Sequence, residues 1–170
     1  IYAINQDLDS PFFKNKKQLQ DVNSAQMGEL RSDHIGALKP SHVRYINPDA
    51  IRGLGAKQIV HLEDDAIGAL DATQFGNLRP KVLRKLDRDQ IEAIQPEAFS
   101  GMNEKQVKGL NPSMLESMSE DQINAFSPNV VGRLKRKQIT AIDPDVFSEL
   151  DQGFLSGCGK AQAKGVTRKQ

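Results

Sequence analysis

The chain has 170 residues, enough for one domain, and its 23 Lys and Arg against 22 Asp and Glu leave it close to neutral, which argues against a nucleic-acid or membrane-surface protein. A single cysteine, Cys158, excludes an internal disulfide framework and a thiolate metal cluster. No tryptophan is present and no apolar run approaches the roughly 18 residues that cross a bilayer.

Residues 1–16 do not follow the repeat that organises the rest of the chain. The large apolar residues of the segment include Tyr2, Ile4, Leu8, Phe12 and Phe13. Because the end of a stacked array needs a cap over its exposed apolar face, we predict an N-terminal cap over 1–16. The chain opens on Ile1 with neither Met nor a basic-then-apolar leader, which indicates a fragment or a processed chain.

An eight-residue repeat fills residues 17–160 as eighteen consecutive blocks. The third position of every block is apolar, from Leu19 to Leu155, and so is the sixth, from Val22 to Cys158. Residues three apart share a face in a helix but point to opposite faces of a strand. A single continuous helix is excluded as well, because eight residues at 3.6 per turn leave the apolar stripe out of phase between blocks. We therefore predict one short helix per block.

A slower period of two blocks lies on top of the first. Gln recurs at the second position of alternate blocks, a set that we call the glutamine ladder: Gln58, Gln74, Gln90, Gln106, Gln122 and Gln138. The intervening blocks have Ala, Val or Met there. We predict an all-α solenoid (superhelix) of very short helices, with one helix per eight-residue block and a helix pair as its sixteen-residue unit. Each pair is expected to cover the apolar face of the pair before it.

The residues at each predicted helix start match capping chemistry. The seventh position is commonly an N-cap residue: Asn47, Asp71, Asp87, Asn111, Ser119, Ser127 and Asp143. Seven of the eight prolines then fall on the first helical position: Pro40, Pro48, Pro80, Pro96, Pro112, Pro128 and Pro144. The ladder glutamines fall on the third, where they complete a capping box. An alternative stays open, in which the ladder is a ridge that reads a repetitive ligand such as a glycan or an extended peptide.

Small residues crowd the fourth and fifth positions: Gly36, Ala37, Gly68, Ala69, Gly101, Gly109, Ala125 and Ala141. They indicate either close backbone approach between stacked turns or the ends of very short helices. After the last block, Gly165 with Lys164, Arg168 and Lys169 predicts a basic flexible tail over 161–170.

Candidate chemical groups are few. His34 and His42 occupy the slot otherwise held by Gln, which favours a capping or surface role over a metal site. The carboxylates of 63–65 stand near a helix start, where they favour the helix dipole. Cys158 lies at an apolar position with no histidine near it in sequence, which is typical of a small buried hydrophobe. Acids and bases are distributed along the blocks, so no single face is marked as a partner site.

The blocks KQIVHLED, TQFGNLRP and KQITAIDP resemble the octapeptide (x-Gln-Ile-x-x-Leu) arrays of large bacterial surface and adhesin-like proteins. The proline-bearing segments QPEAF and NPSML are similar to the short-helix superhelical repeats of the mesothelin and stereocilin family. The resemblance covers most of the chain. It implies extracellular or cell-surface adhesion and interaction, with no shared catalytic residues. The chain has more charge than the bacterial arrays and lacks the cysteines of the mesothelin type.

The repeat and the lack of convergent chemistry predict a non-catalytic module, not an enzyme, acting as a spacer or protein-interaction surface of a larger secreted or cell-surface protein. One alternative is an intracellular or effector-type scaffold that binds a partner protein. Another is a glycan- or peptide-binding module that uses the glutamine ladder. We expect no cofactor or metal, a protein partner or none, no nucleic acid, no membrane insertion, and a monomeric fragment of a longer chain.

Overall fold

The computed structural model describes residues 16–163 and residue 166. This part of the chain is helical without strands, and the predicted solenoid of very short helices is confirmed. A 3-10 helix spans Ile59–His61. The α-helices are α1 (Lys16–Asp21), α2 (Ser24–Gly28), α3 (Ser32–Gly36), α4 (Pro40–Val43), α5 (Pro48–Ile51), α6 (Asp64–Ile67), α7 (Ala72–Asn77), α8 (Pro80–Leu83), α9 (Arg88–Ala93), α10 (Pro96–Phe99), α11 (Glu104–Gly109), α12 (Pro112–Glu116), α13 (Glu120–Asn124), α14 (Pro128–Val131), α15 (Arg136–Ile139), α16 (Pro144–Ser148), α17 (Gln152–Gly157) and α18 (Lys160–Ala163).

The two ends predicted outside the repeat fall mostly outside the described residues. Of the predicted N-terminal cap only Lys16 is described, and it begins α1. Of the predicted tail, residues 161–163 belong to α18 and Val166 is exposed.

Most helices begin as the capping pattern predicts. All seven prolines at the eighth position stand at the first helical residue. Asp71 and Asp87 accept a hydrogen bond from the backbone N–H of the ladder glutamine three residues later. Asn111 and Ser127 stand at the N-cap position as predicted, but their side chains accept no hydrogen bond from the start of the helix. Asn111 instead turns its Nδ2 towards the carbonyl oxygen of Arg84, 3.5 Å away.

One continuous apolar core runs through the described blocks. The third and sixth positions are buried as predicted, except in the last described block, where Leu155 is 40% exposed and Cys158 is half-buried. Between residues 50 and 138 the second position is buried too: Ala50, Ala66, Val82, Ala98, Met114 and Val130 alternate there with the ladder glutamines. In these blocks the core therefore takes three positions, one more than the two predicted.

The helices that pack against one another are not consecutive. α7 begins at Ala72 and packs against α5 and α10, which begin three blocks before and three blocks after it, at Pro48 and Pro96. The same step joins α8 to α11 and α11 to α14. A superhelical turn thus takes at least three blocks. The packing differs here from the predicted stack of helix pairs. The two-block period instead marks an alternation between helices with Gln at the second position and helices with Ala, Val or Met there.

The small residues at the fourth and fifth positions lie where turns approach each other. A Cβ atom added to Gly101 would overlap the carbonyl group of Ala72, and one added to Gly53 would overlap that of Ser24. No described glycine has a positive φ, so left-handed helix ends do not explain these glycines. Of the two interpretations of the small residues, close approach between turns is therefore confirmed.

Candidate functional site

Each ladder glutamine joins the start of its own helix to an earlier turn, as Gln90 illustrates. Its Oε1 accepts from the backbone N–H of Asp87 at 3.3 Å, and its own backbone N–H donates to Asp87 Oδ1 at 2.9 Å. Its Nε2 donates to the carbonyl oxygens of Ile59 at 3.0 Å and Leu62 at 2.8 Å, which lie 31 and 28 residues earlier. The Gln90 side chain therefore has two functions: it completes a capping box, and it links its helix to an earlier turn.

The same geometry repeats along the ladder. Gln74, Gln106, Gln122 and Gln138 each donate through Nε2 to carbonyls 31 and 28 residues earlier, at 2.7 to 2.9 Å. Gln58 donates in the same way to Met27 and Leu30. The six side chains are at most 8% exposed. Because the carboxamides face the core and use their donors there, they lack the exposure that a ligand-reading ridge needs.

The link between turns was not predicted from the sequence, although a signal for it is present. A capping box accepts Glu as readily as Gln at the third helical position. All six ladder positions are Gln and none is Glu. Only the amide has N–H donors as well as an acceptor, so the exclusion of Glu indicates a second set of bonds.

His34 and His42 cap their helices as the ladder glutamines do, which confirms the capping role predicted for them. The Nδ1 atom of His34, which is fully buried, accepts from the backbone N–H of Arg31 at 3.4 Å. The Nδ1 atom of His42 accepts from that of Lys39 at 3.1 Å. Burial, together with the charge of Lys39, lowers the pKa of His42. His61 is exposed on the 3-10 helix.

The remaining chemical candidates do not converge. Cys158 packs at the edge of the core, and burial raises the pKa of its thiol, which favours the unreactive protonated form at neutral pH. Within residues 16–163 and residue 166, no group of three or more His, Cys, Asp or Glu side chains could hold a metal ion.

The surface carries open grooves, and one of them is acidic. It has a volume of about 570 Å³ and lies where α3, the 3-10 helix and the starts of α6 and α9 meet, with Asp33, Val60 and Asp87 in its walls. A second groove of about 550 Å³ runs on from it past Leu38 and Pro40. The two share Gly36, Glu63 and Asp64, and we call them together the acidic groove. A third groove of about 360 Å³ is lined by Arg88, Glu92, Glu116, Met118, Asp143 and others.

Carboxylates from separate blocks meet in the acidic groove. Partial desolvation, and then the nearby charges of Asp87, Asp89, Glu63 and Asp65, raise the pKa of Asp64. Asp64 and Asp65 stand in the first turn of α6, as the sequence predicted. Their meeting with Asp87 was not predicted, because it follows from contact between helices three blocks apart. The expectation that no face is marked by charge is therefore wrong for this part of the surface.

No protein-family model matches the sequence, and a search among curated proteins finds no significant relative. None of the described helices is both long enough and apolar enough to cross a bilayer.

Proposed function

We propose that this chain is a non-catalytic repeat module that serves as a protein-interaction surface of a larger secreted or cell-surface protein. One observation carries the proposal. The buried polar side chains, the ladder glutamines and His34 among them, are hydrogen-bonded to backbone groups of the array itself. What can meet another molecule is then the exposed outer surface, which the repeat displays at regular intervals along the superhelix.

A spacer is the second candidate, and the ladder favours it. Bonds from Nε2 tie successive turns together at every sixteenth residue from Gln58 to Gln138. An array linked in this way resists bending between turns, which suits a module that holds two parts of a protein at a fixed distance.

Site-specific photo-crosslinking separates these roles. The full-length protein is produced in its own cells with benzoylphenylalanine at one exposed position at a time, at Asp65, Lys85, Glu92 or Arg133. After irradiation, an interaction surface gives a discrete adduct from at least one of these positions, and protease added to intact cells removes it. Absence of an adduct from every position would favour the spacer. An adduct that resists external protease would contradict the surface location and favour the intracellular scaffold.

A further inference from the structure

The segment 55–62 departs from the pattern of the other ladder helices, and it forms a wall of the acidic groove. Gly55 stands three residues before Gln58, as Asp71 and Asp87 stand before Gln74 and Gln90, so the N–H of Gln58 has no side-chain cap; Lys135, three residues before Gln138, provides none either. The following residues form the 3-10 helix Ile59–His61 in place of an α-helix. Departures from an otherwise consistent pattern are expected at functional sites.

The same segment exposes an apolar side chain inside the groove. The fourth position is Gly or polar in every other block, but here it is Val60, which is 46% exposed while its neighbours Ile59 and Leu62 are buried. The other exposed large hydrophobic residues of the described chain, Leu155 and Val166, lie in its last part. An apolar side chain on a concave surface offers a contact for an apolar group of a ligand.

The charge of the groove identifies the class of occupant. Five acidic residues line it: Asp33, Glu63, Asp64, Asp65 and Asp87. Among the described residues, the only lysine or arginine in the lining is Lys39. Arg31 pairs with Asp33 at 2.8 Å, which leaves the other four carboxylates without an ion pair in the described chain. Such a surface repels anionic ligands and attracts cationic ones.

We infer that the acidic groove is the docking site for a basic, extended segment of a partner protein, in which an apolar residue contacts Val60 and flanking Lys or Arg side chains meet the carboxylates. A bare metal cation does not fit these observations, because no three of the described acidic residues are grouped as ligands and because Val60 would have no role. The inference rests on the proposed interaction function and names the partner's chemistry.

The test uses a fluorescein-labelled peptide, Lys-Leu-Lys-Arg-Leu-Lys, titrated with the full chain at about 0.15 M salt, where charges beyond about 8 Å are largely screened. We expect saturable binding by fluorescence anisotropy, weakened at least tenfold by the double variant Asp64→Asn, Asp65→Asn and at least threefold by Val60→Ser. The matched control Glu97→Gln, Glu149→Gln removes two exposed carboxylates outside the groove and should change the affinity less than twofold. Thermal unfolding of each variant establishes that it is folded.

Equal weakening by the groove and control variants would overturn the inference, since it would mean diffuse attraction to charge. So would an unchanged affinity in Val60→Ser, or no saturable binding at all. Saturable binding of a peptide copied from residues 160–169, together with self-association of the chain in sedimentation, would assign the groove to a second copy instead of a partner. If crosslinking finds a partner while the peptide does not bind, only the groove inference fails. Peptide binding without any crosslink in cells would overturn the proposed function instead.

Discussion

The carboxamide of each ladder glutamine forms hydrogen bonds with backbone groups at the ends of two different helices. Oε1 of Gln106 accepts from the free N–H at the start of α11, at Asn103. Its Nε2 supplies donors for the carbonyls of Phe75 and Leu78, in and just after α7. Helices of four to six residues consist almost entirely of such unsatisfied ends, so a side chain that serves two helices is unusually effective here.

We expect Gln90→Ala to lower the free energy of unfolding by about 1–3 kcal/mol, because it removes a donor from the buried carbonyls of Ile59 and Leu62, of which Ile59 keeps the bond from the Leu62 N–H. Gln90→Glu keeps the capping acceptor but loses both N–H donors, so it should be at least as destabilising at neutral pH. Gln95→Ala is the control, since Gln95 is exposed and makes only a 3.4 Å contact with the carbonyl of Ala93. Urea unfolding measures all three. A loss in Gln90→Ala no larger than in Gln95→Ala would contradict the structural role of the ladder.

Histidine in a ladder slot should make the early turns sensitive to acid. Because the pKa of His42 lies below its usual 6.5 in the folded protein, the unfolded chain binds the proton first as the pH falls. The bond from the Lys39 N–H is thus fully present above about pH 6.5 and is lost as the pH drops through the lower folded value. We expect His42→Gln to reduce the fall in melting temperature between pH 7.5 and pH 5.5. An identical fall in both proteins would rule out this contribution.

At the scale of the element, short-range pattern predicts where a helix begins but not what surrounds it. Proline at the first helical residue depends only on local geometry, and each of the seven predicted positions is confirmed. Asn111 departs from the pattern because its side chain finds a carbonyl on another turn, and that turn has no signature in the local sequence. The burial of the second position was not predicted either, because it also depends on contact with another turn.

The closeness of the turns can be tested with two glycines. Gly101→Ala places a methyl group against the carbonyl of Ala72, so the two turns must separate, at a cost of about 1–3 kcal/mol. In Gly28→Ala the new methyl would lie 3.4 Å from the carbonyl oxygen of Gly53, an ordinary contact, and helix propensity favours alanine. We therefore expect Gly28→Ala to be neutral or slightly stabilising in thermal unfolding. Equal effects of the two substitutions would mean that the turns are not in contact at Gly101.

At the scale of the molecule, the superhelix produces features that no single block contains. Contacts between helices three blocks apart bring Asp64 and Asp87 to one groove, although the two residues stand in different blocks. The all-α solenoid itself could be predicted, because apolar spacing and capping repeat in every block. The number of blocks per turn could not be, since it depends on how closely the backbones pack, and the acidic groove follows from that number.

Deletions test whether the array is organised by an alternation of two helix types. Removing residues 105–120 keeps that alternation and joins Asn103 and Glu104 to Asp121 and Gln122, so a glutamine still follows the cap. Removing only 105–112 places Met114 three residues after the cap Asn103, where a glutamine is needed. It also moves Gln122 and Gln138 by one block, so that they face earlier blocks that have Ala, Val or Met at the second position. We expect the shorter deletion to have the lower melting temperature although it retains one block more. The reverse order would show that block number alone determines stability.

The bond from each ladder glutamine to a turn 28–31 residues earlier can be observed directly by nuclear magnetic resonance. In the folded chain the Hε2 protons of Gln90 should show nuclear Overhauser contacts to backbone protons around Ile59 and Leu62, and they should exchange slowly with solvent. Gln106 should show the same contacts around Phe75 and Leu78. Contacts confined to residues within sixteen positions, or side-chain amides that exchange as fast as that of the exposed Gln95, would contradict a superhelix held together by its glutamines.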